Sequence, residues 1–251
     1  FHSDTKPSLH VNDSKGLFKC FVCQAGGDSI TFVEKYQSLS FIESLKEIAS
    51  IIGLDYSNYS SSKKNPELVM AQKILTKTAQ IYRKLGTDSG SNHLSTFIKD
   101  RNLTIETSTQ FMLGYAPSNN IITNYLKSIP DEKERNFALE VAKKISIIKV
   151  NENNHSCYDT FRNRIMFPIW DLYGQVTGFT SRAVLESQKP KYLNSKESFI
   201  FSKKNLQYGL HLAKAHIREK GFLILCEGNM DAITLHQFNF KNSLAIMGTA
   251  L

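Results

Sequence analysis

The spacing of apolar residues changes several times along this 251-residue chain, and each change predicts a different kind of element. Residues 1–27 have no helical period and carry Pro7, Gly16, Gly26 and Gly27, which predicts short strands and turns. Ser29–Tyr36 fits a short helix. A better-marked helix runs from Phe41 to about Ile52. There Phe41, Leu45, Ile48, Ala49 and Ile52 form one stripe, Ser40 and Glu43 have capping-box spacing, and Gly53 supplies a stop. Tyr56–Asn65 is polar and Ser-rich, a linker by composition. Asn65-Pro66 then opens a long helix with Leu68, Ala71, Ile74, Leu75, Ile81, Tyr82 and Leu85 inward, ending at Gly86. Helical patterns continue to about Ile145, punctuated by Gly90, Gly114 and Pro117.

Near Phe161 the period shortens. Arg164–Asp171 and Gln175–Arg182 read as two strands joined at Tyr173-Gly174. Further on, Phe222–Cys226 is a continuous apolar run of the kind found in buried parallel strands. Met230–Phe238 follows as a helix and Ser243–Met247 as another strand, which together make a βαβ unit.

Composition narrows the class. With 41% hydrophobic and 22% charged residues, the chain has material for a packed core, and wholesale disorder is excluded. No run of 18 apolar residues and no basic-then-apolar leader is present, so no membrane partner is expected. Four cysteines at 20, 23, 157 and 226 are too few and too unevenly spaced for a disulfide framework, which predicts a reduced, intracellular protein; Cys157 and Cys226 read as ordinary buried or partly buried thiols. Charge is unevenly placed. The net +8 falls entirely after Asn65, because residues 1–65 carry seven basic and seven acidic side chains. Residues 162–204 hold Arg162, Arg164, Arg182, Lys189, Lys191, Lys196, Lys203 and Lys204 against Asp171, Glu186 and Glu197, a local +5. For single lysines a solvated face explains this, but arginines amid apolar strand residues require partners, and converging cations predict a polyanion. Tyr192 and Tyr208 are candidates for stacking on bases.

Two constellations carry chemistry. Cys20-Phe-Val-Cys23 lets two thiolates face one cation, and His2 lies eighteen residues upstream, giving a soft N/S donor set suited to one structural Zn²⁺. A redox pair lacks the strand-to-helix setting it needs, whereas two buried thiols with an incidental histidine is the plain alternative. A catalytic zinc with an open position is disfavoured because the chain starts beside a ligand, so a fourth ligand is expected just upstream; His10 is a weaker candidate. At the carboxyl end of the apolar strand stands Glu227-Gly-Asn-Met-Asp231. Carboxylates there suit a hard divalent cation, although Asp231 at a helix start also simply favours the helix dipole.

In this order, zinc knuckle, linker, basic strands and an acidic strand end, the chain resembles the bacterial-type DNA primases over essentially its whole length. The matching segments are Phe1-His2, Phe18-Lys-Cys-Phe-Val-Cys-Gln-Ala-Gly-Gly27, Leu39-Ser-Phe41, Gly114-Tyr-Ala-Pro117 and Tyr158-Asp-Thr-Phe-Arg-Asn-Arg-Ile-Met-Phe-Pro-Ile169. Gly178-Phe-Thr-Ser-Arg182, Pro190-Lys-Tyr-Leu-Asn194, Tyr208-Gly-Leu210 and Glu227-Gly-Asn-Met-Asp231 complete them.

The resemblance implies an α+β and α/β multidomain fold. A small zinc-ribbon domain over 1–56 would be missing its first ligand, a Cys just before residue 1. A linker follows at 57–65, then the N-terminal part of a mixed α/β polymerase domain at 66–205, and the start of a Toprim βαβ fold at 206–251. It implies synthesis of short RNA primers on single-stranded DNA, with Glu227 as catalytic and metal-associated carboxylate, Asp231 as its companion, and Mg²⁺ or Mn²⁺ as catalytic ion. Arg162, Arg164, Arg182, Lys191, Asn194 and Lys203 correspond to a basic ridge for template or nucleotide. Asn229 departs from the family's usual Tyr. The implied partners are the single-stranded template, ribonucleoside triphosphates, a replicative helicase engaged through a region not in this sequence, and single-strand-binding protein. The implied location is the bacterial replisome or nucleoid, with a plastid left open. The later Asp-x-Asp metal motif is expected beyond Leu251, so this stretch alone is expected to be inactive. A non-enzymatic single-strand-binding or recombination-mediator protein with a zinc motif and a Toprim fold is the other reading; it predicts four Cys ligands and no long basic segment.

Overall fold

The computed structural model describes residues 1–54, 65–88, 92–203 and 206–247. Its chain divides into two units, Phe1–Lys63 and Lys64–Leu251. The expected linker falls outside the described residues except for Asn65.

In the first unit, β1 (Leu9–Asn12), β2 (Leu17–Cys20) and β3 (Gly26–Asp28) form an antiparallel sheet in that order. The β1–β2 turn closes on Gly16 at φ 62°, a left-handed position that glycine occupies without cost. Helix α1 (Ser29–Gln37) starts where the Asp28 carboxylate accepts the Thr31 N–H at 2.8 Å. In α2 (Phe41–Ile51) the capping box forms: Ser40 N–H donates to Glu43 Oε2 at 2.7 Å, and Glu43 N–H donates to Ser40 Oγ at 3.4 Å. The apolar stripe of α2 is only partly covered, since Phe41 and Ile52 are exposed while Ala49 is buried. Phe1, Phe18, Phe32 and Tyr36 make a small aromatic cluster, with Phe18 and Phe32 edge to face at 5.1 Å.

The second unit begins with α3 (Pro66–Thr87), whose start is capped by Asn65. It continues through α4 (His93–Asp100), α5 (Ile105–Gln110), β4 (Gly114–Ala116), α6 (Ile121–Lys127), α7 (Glu132–Lys144), β5 (Ile148–Val150) and β6 (Cys157–Asp159). The expected strand pair is β7 (Arg164–Trp170) and β8 (Val176–Ala183), turning at Gly174, followed by β9 (Tyr192–Asn194). The order β4-β7-β8-β9 is antiparallel throughout. Every residue of β7 is buried, and its alternation splits two cores. Met166 and Trp170 join Ile74, Tyr82, Val141 and Phe179 on one side, while Ile165, Phe167 and Ile169 join Phe97, Phe111 and Tyr208 on the other. Strand β4 lies so close to α3 that a Cβ on Gly114 would sit 2.6 Å from the Tyr82 carbonyl carbon, which gives that glycine its place.

The remaining elements are β10 (Gln207–Tyr208), α8 (Leu210–Lys220), β11 (Ile224–Cys226), α9 (Asn229–Gln237) and β12 (Ser243–Ile246). β11 and β12 run parallel around α9, as the βαβ pattern requires, and β10 adds antiparallel to β12. Ala232, Ile233 and Ala245 belong to the same core as Phe111 and Ile165, so the expected division at 205/206 marks a change of sheet and not a break in packing.

The run Phe222–Cys226 supplies β11, parallel to β12; within this stretch of sequence it is the last strand of its sheet, and Phe222, Leu223 and Leu225 are 56, 48 and 44% exposed. One expectation is corrected. Tyr208 is unavailable for stacking on bases, because it is wholly buried with its ring stacked on Phe111 at 5.8 Å. No helix among the described residues is long and apolar enough to cross a membrane.

Candidate metal centre and polyanion cleft

The end of β2 and the turn after it bring Cys20 and Cys23 beside His2. Donor atoms of all three lie within 4.8 Å of one another, and His2 Nε2 is 3.2 Å from Cys20 Sγ. Tetrahedral zinc places N/S donors roughly 3.5–3.8 Å apart, so this set fits such an ion. Ser8 Oγ is 3.4 Å from Cys20 Sγ; its hydroxyl, then the Cys23 backbone N–H, then His2 draw the Cys20 thiol down to about 6, favouring the thiolate a metal needs. His10 stands apart, exposed on β1 with its ring against Phe21.

The second unit has a cleft of about 840 Å³ lined by Glu227, Gly228, Asn229 and Asp231 on the β11–α9 side and by Thr180, Tyr192, Asn194 and Arg101 elsewhere. Geometry at the acidic turn follows from Gly228. Its N–H donates to Asp231 Oδ2 at 3.2 Å, and a Cβ there would come 2.9 Å from that same oxygen. Asp231 therefore folds back over the turn, while Glu227 is exposed at the strand end. Burial, then the Asp231 charge, raise the neighbouring Cys226 thiol.

The basic ridge is less uniform than the sequence suggests. Asn194 lines the cleft, paired in register with Thr180. Arg182 points its guanidinium over Phe97 at 5.7 Å, and Arg101 covers the same ring at 5.9 Å. Arg164 is only 3% exposed; it donates through Nη2 to the Pro190 carbonyl at 2.8 Å and reaches the Lys191 carbonyl at 3.5 Å, so it holds the loop bearing Lys191. Burial lowers its pKa. Lys191 and Arg162 are exposed, and the Arg162 guanidinium lies 5.0 Å above the Tyr158 ring. Lys203 is half-buried, with its backbone N–H bound to Glu197; Lys204 lies outside the described residues.

Sequence reasoning missed Arg101, which sits just after a short amphipathic helix 126 positions before Glu227 and carries no local motif. It also missed Gln237, whose Oε1 accepts the Thr104 N–H and whose Nε2 donates to the Asn102 carbonyl, both at 2.8 Å. These bonds tie α9, which carries Asp231, to the segment that carries Arg101.

The first unit thus carries a candidate zinc centre, and the second an acidic turn that shares a cleft with arginine and asparagine. Residues 81–214 match the DNA primase catalytic core, N-terminal domain, and residues 1–64 match the CHC2 zinc finger. The chain belongs to the bacterial DNA primase family, and its N-terminal unit is a zinc-binding domain of the CHC2 type. DNA primases of Campylobacter jejuni and Aquifex aeolicus are 33 and 34% identical over this whole chain, which spans 40 and 48% of their lengths. A crystal structure of the Aquifex aeolicus primase (zinc-binding and RNA polymerase domains) superposes at a TM-score of 0.66, 34% identical, over 100% of this chain and 59% of that one. The structure of a DnaG primase catalytic domain bound to single-stranded DNA superposes at 0.65, 27% identical, over 73% of this chain and 55% of the other.

Proposed function

We propose that the cleft between the β11–α9 turn and the β8–β9 ladder is the site where ribonucleotides are joined on a single-stranded DNA template to make an RNA primer. The observation that carries this reading is the shared lining of Glu227, Asp231, Asn194 and Arg101. Glu227 and Asp231 offer hard carboxylate oxygens to Mg²⁺ or Mn²⁺, which when bound stabilises charge on the attacking and leaving oxygens of the phosphoryl group. Arg101 supplies fixed positive charge beside a triphosphate, with planar geometry suited to bidentate contact. Asn194 and Tyr192 offer hydrogen bonds and an exposed ring to a nucleotide, and Arg182 supports the same wall through Phe97. Arg162, Lys191 and Lys203 belong to the surface that carries the template backbone. His2, Cys20 and Cys23 hold the structural zinc, and the Toprim assignment belongs to the βαβ unit of β11, α9 and β12. Helicase and single-strand-binding protein are partners of the whole enzyme in the replisome under this reading.

The recombination-mediator reading is disfavoured because the long segment it lacks is the one that matches a primase catalytic core. The test is primer synthesis by the full-length protein on single-stranded DNA with ribonucleotides and Mg²⁺. Glu227→Gln keeps the shape and removes the charge. We expect at least about a hundredfold loss of kcat with template affinity retained; wild-type synthesis by this variant overturns the assignment.

A further inference from the structure

The turn that carries Arg101 is fixed from two directions. At the end of α4 the Asn102 N–H donates to the Lys99 carbonyl at 3.0 Å and the Leu103 N–H to the Ile98 carbonyl at 2.9 Å. This is a Schellman turn, with Asn102 as its left-handed residue at φ 49°. Arg101 stands just before it, exposed, with its guanidinium over Phe97. Leu103 enters the core that holds Ala232 and Ile233 of α9, and Thr104 opens α5, its hydroxyl oxygen accepting the Thr107 N–H at 3.1 Å. The Asn102 carbonyl and the Thr104 N–H, on either side of Leu103, are both taken by the Gln237 carboxamide at 2.8 Å. Gln237 is the last residue of α9, six positions and about 9 Å of helix beyond Asp231. Apolar packing around Leu103 is non-directional and by itself lets the turn slide. Two hydrogen bonds from one planar amide to backbone groups two residues apart fix its register.

We infer that Gln237 is a positioning residue for nucleotide binding: through the Asn102–Thr104 turn it sets where Arg101 stands relative to Glu227 and Asp231, which line the same cleft. The inference rests on the reading of that cleft as the site of ribonucleotide joining, and it concerns a residue that is not itself in the lining. One rigid helix carries a carboxylate at its start and the brace of the arginine at its end. A triphosphate that meets Arg101 and a cation held by the carboxylates touches both sides at once, so a shift of one against the other is felt as lost nucleotide affinity.

The experiment is a double-mutant cycle in the full-length protein, read as KM and kcat for ATP in primer synthesis. Gln237→Leu is expected to raise KM about tenfold, and Arg101→Ala at least as much. Because Gln237 acts through Arg101, adding Gln237→Leu to Arg101→Ala should raise KM by less than about twofold more. A double variant whose rise is the product of the two single rises overturns the inference and leaves the cleft reading standing. A merely structural role removes active protein, which lowers apparent kcat at unaltered KM, and that pattern overturns it too. Gln237→Glu keeps an acceptor for the Thr104 N–H and loses the donor to the Asn102 carbonyl; it is expected to move KM in the same direction, and it carries the cycle where Gln237→Leu does not fold. An unchanged KM in Arg101→Ala, or no synthesis by the unsubstituted protein, overturns both this inference and the reading of the cleft on which it rests.

Discussion

The zinc-binding unit and the second unit solve the folding problem by different means. Among the described residues of the first, only Phe18, Cys20, Ser44 and Ala49 are buried, and Val11, Phe21, Val22 and Ile51 are more than 60% exposed. The second unit instead packs two apolar cores against the faces of one fully buried strand, β7. A unit with so little burial cannot offset chain entropy through the hydrophobic effect, so a metal centre takes over the role of a core. The contrast teaches that one chain holds two independent sources of stability, one chemical and one geometric.

The severest way to break this contrast is to remove the metal. Structural zinc contributes about 10–16 kcal/mol in small zinc modules. Chelation or Cys23→Ser is therefore expected to expose residues 1–54 to protease and hydrogen exchange while residues 66–247 keep their protection. Equal loss of protection in both units would refute the division.

The converse change is Phe179→Ala. Phe179 is wholly buried, with its ring 5.9 Å from Tyr82 and 6.0 Å from Phe161. We expect a loss of about 3–5 kcal/mol, confined to the second unit's denaturant transition, with zinc content unaltered. A milder cut is Gln237→Leu, which removes both bonds between α9 and the Asn102–Thr104 segment. The expected cost is about 1–2 kcal/mol, accompanied by a higher KM for nucleotide in the full-length protein; unchanged KM would show that Gln237 does not set the cleft.

The gentlest probe removes no atom. Burial lowers the His211 pKa to about 4, with smaller contributions from His236 and Lys214, and burial lowers His236 as well. A histidine depressed in the folded state binds fewer protons there than when unfolded. Stability of the second unit is accordingly full above the unfolded value near 6.5 and declines as the pH falls toward about 4. The ring of Trp170, the only tryptophan, lies 4.3 Å from His211, so its emission should titrate near the lower end of that window and His211→Gln should abolish the change. Emission independent of pH down to the unfolding transition would contradict the assignment.

What the sequence made legible was local. The capping box of Ser40 and Glu43, the Asn65-Pro66 start, the Gly174 turn between β7 and β8, and the acidic turn at Glu227 each announce themselves within a few residues. The strands β4, β5 and β6 have three residues each and owe their form to partners far along the chain, such as Met166 opposite Gly114, so no local period marks them. The same reasoning covers side-chain fate. Arg164 and Arg182 look alike in a strand, yet one is turned into the loop carbonyls and the other leans on Phe97, a residue 85 positions away. Tyr208 looked like an exposed stacking ring because nothing nearby says that Phe111 will cover it. For the site, the carboxylates were legible and the opposing Arg101 was not, because a cleft is assembled by tertiary contact while a motif is assembled by covalent order.

The sharing of Phe97 by Arg101 and Arg182 has a thermodynamic consequence for whatever anion enters. A solvated arginine loses on the order of 2 kcal/mol of rotamer freedom when it is immobilised. Here both guanidinium groups rest against one ring before anything binds, so much of that ordering has taken place during folding. Phe97 thus acts as a keel behind Arg101, which lines the cleft, and beside Arg182: it holds two flexible side chains in place, and part of the entropy penalty of any later contact is moved from the encounter to the making of the protein.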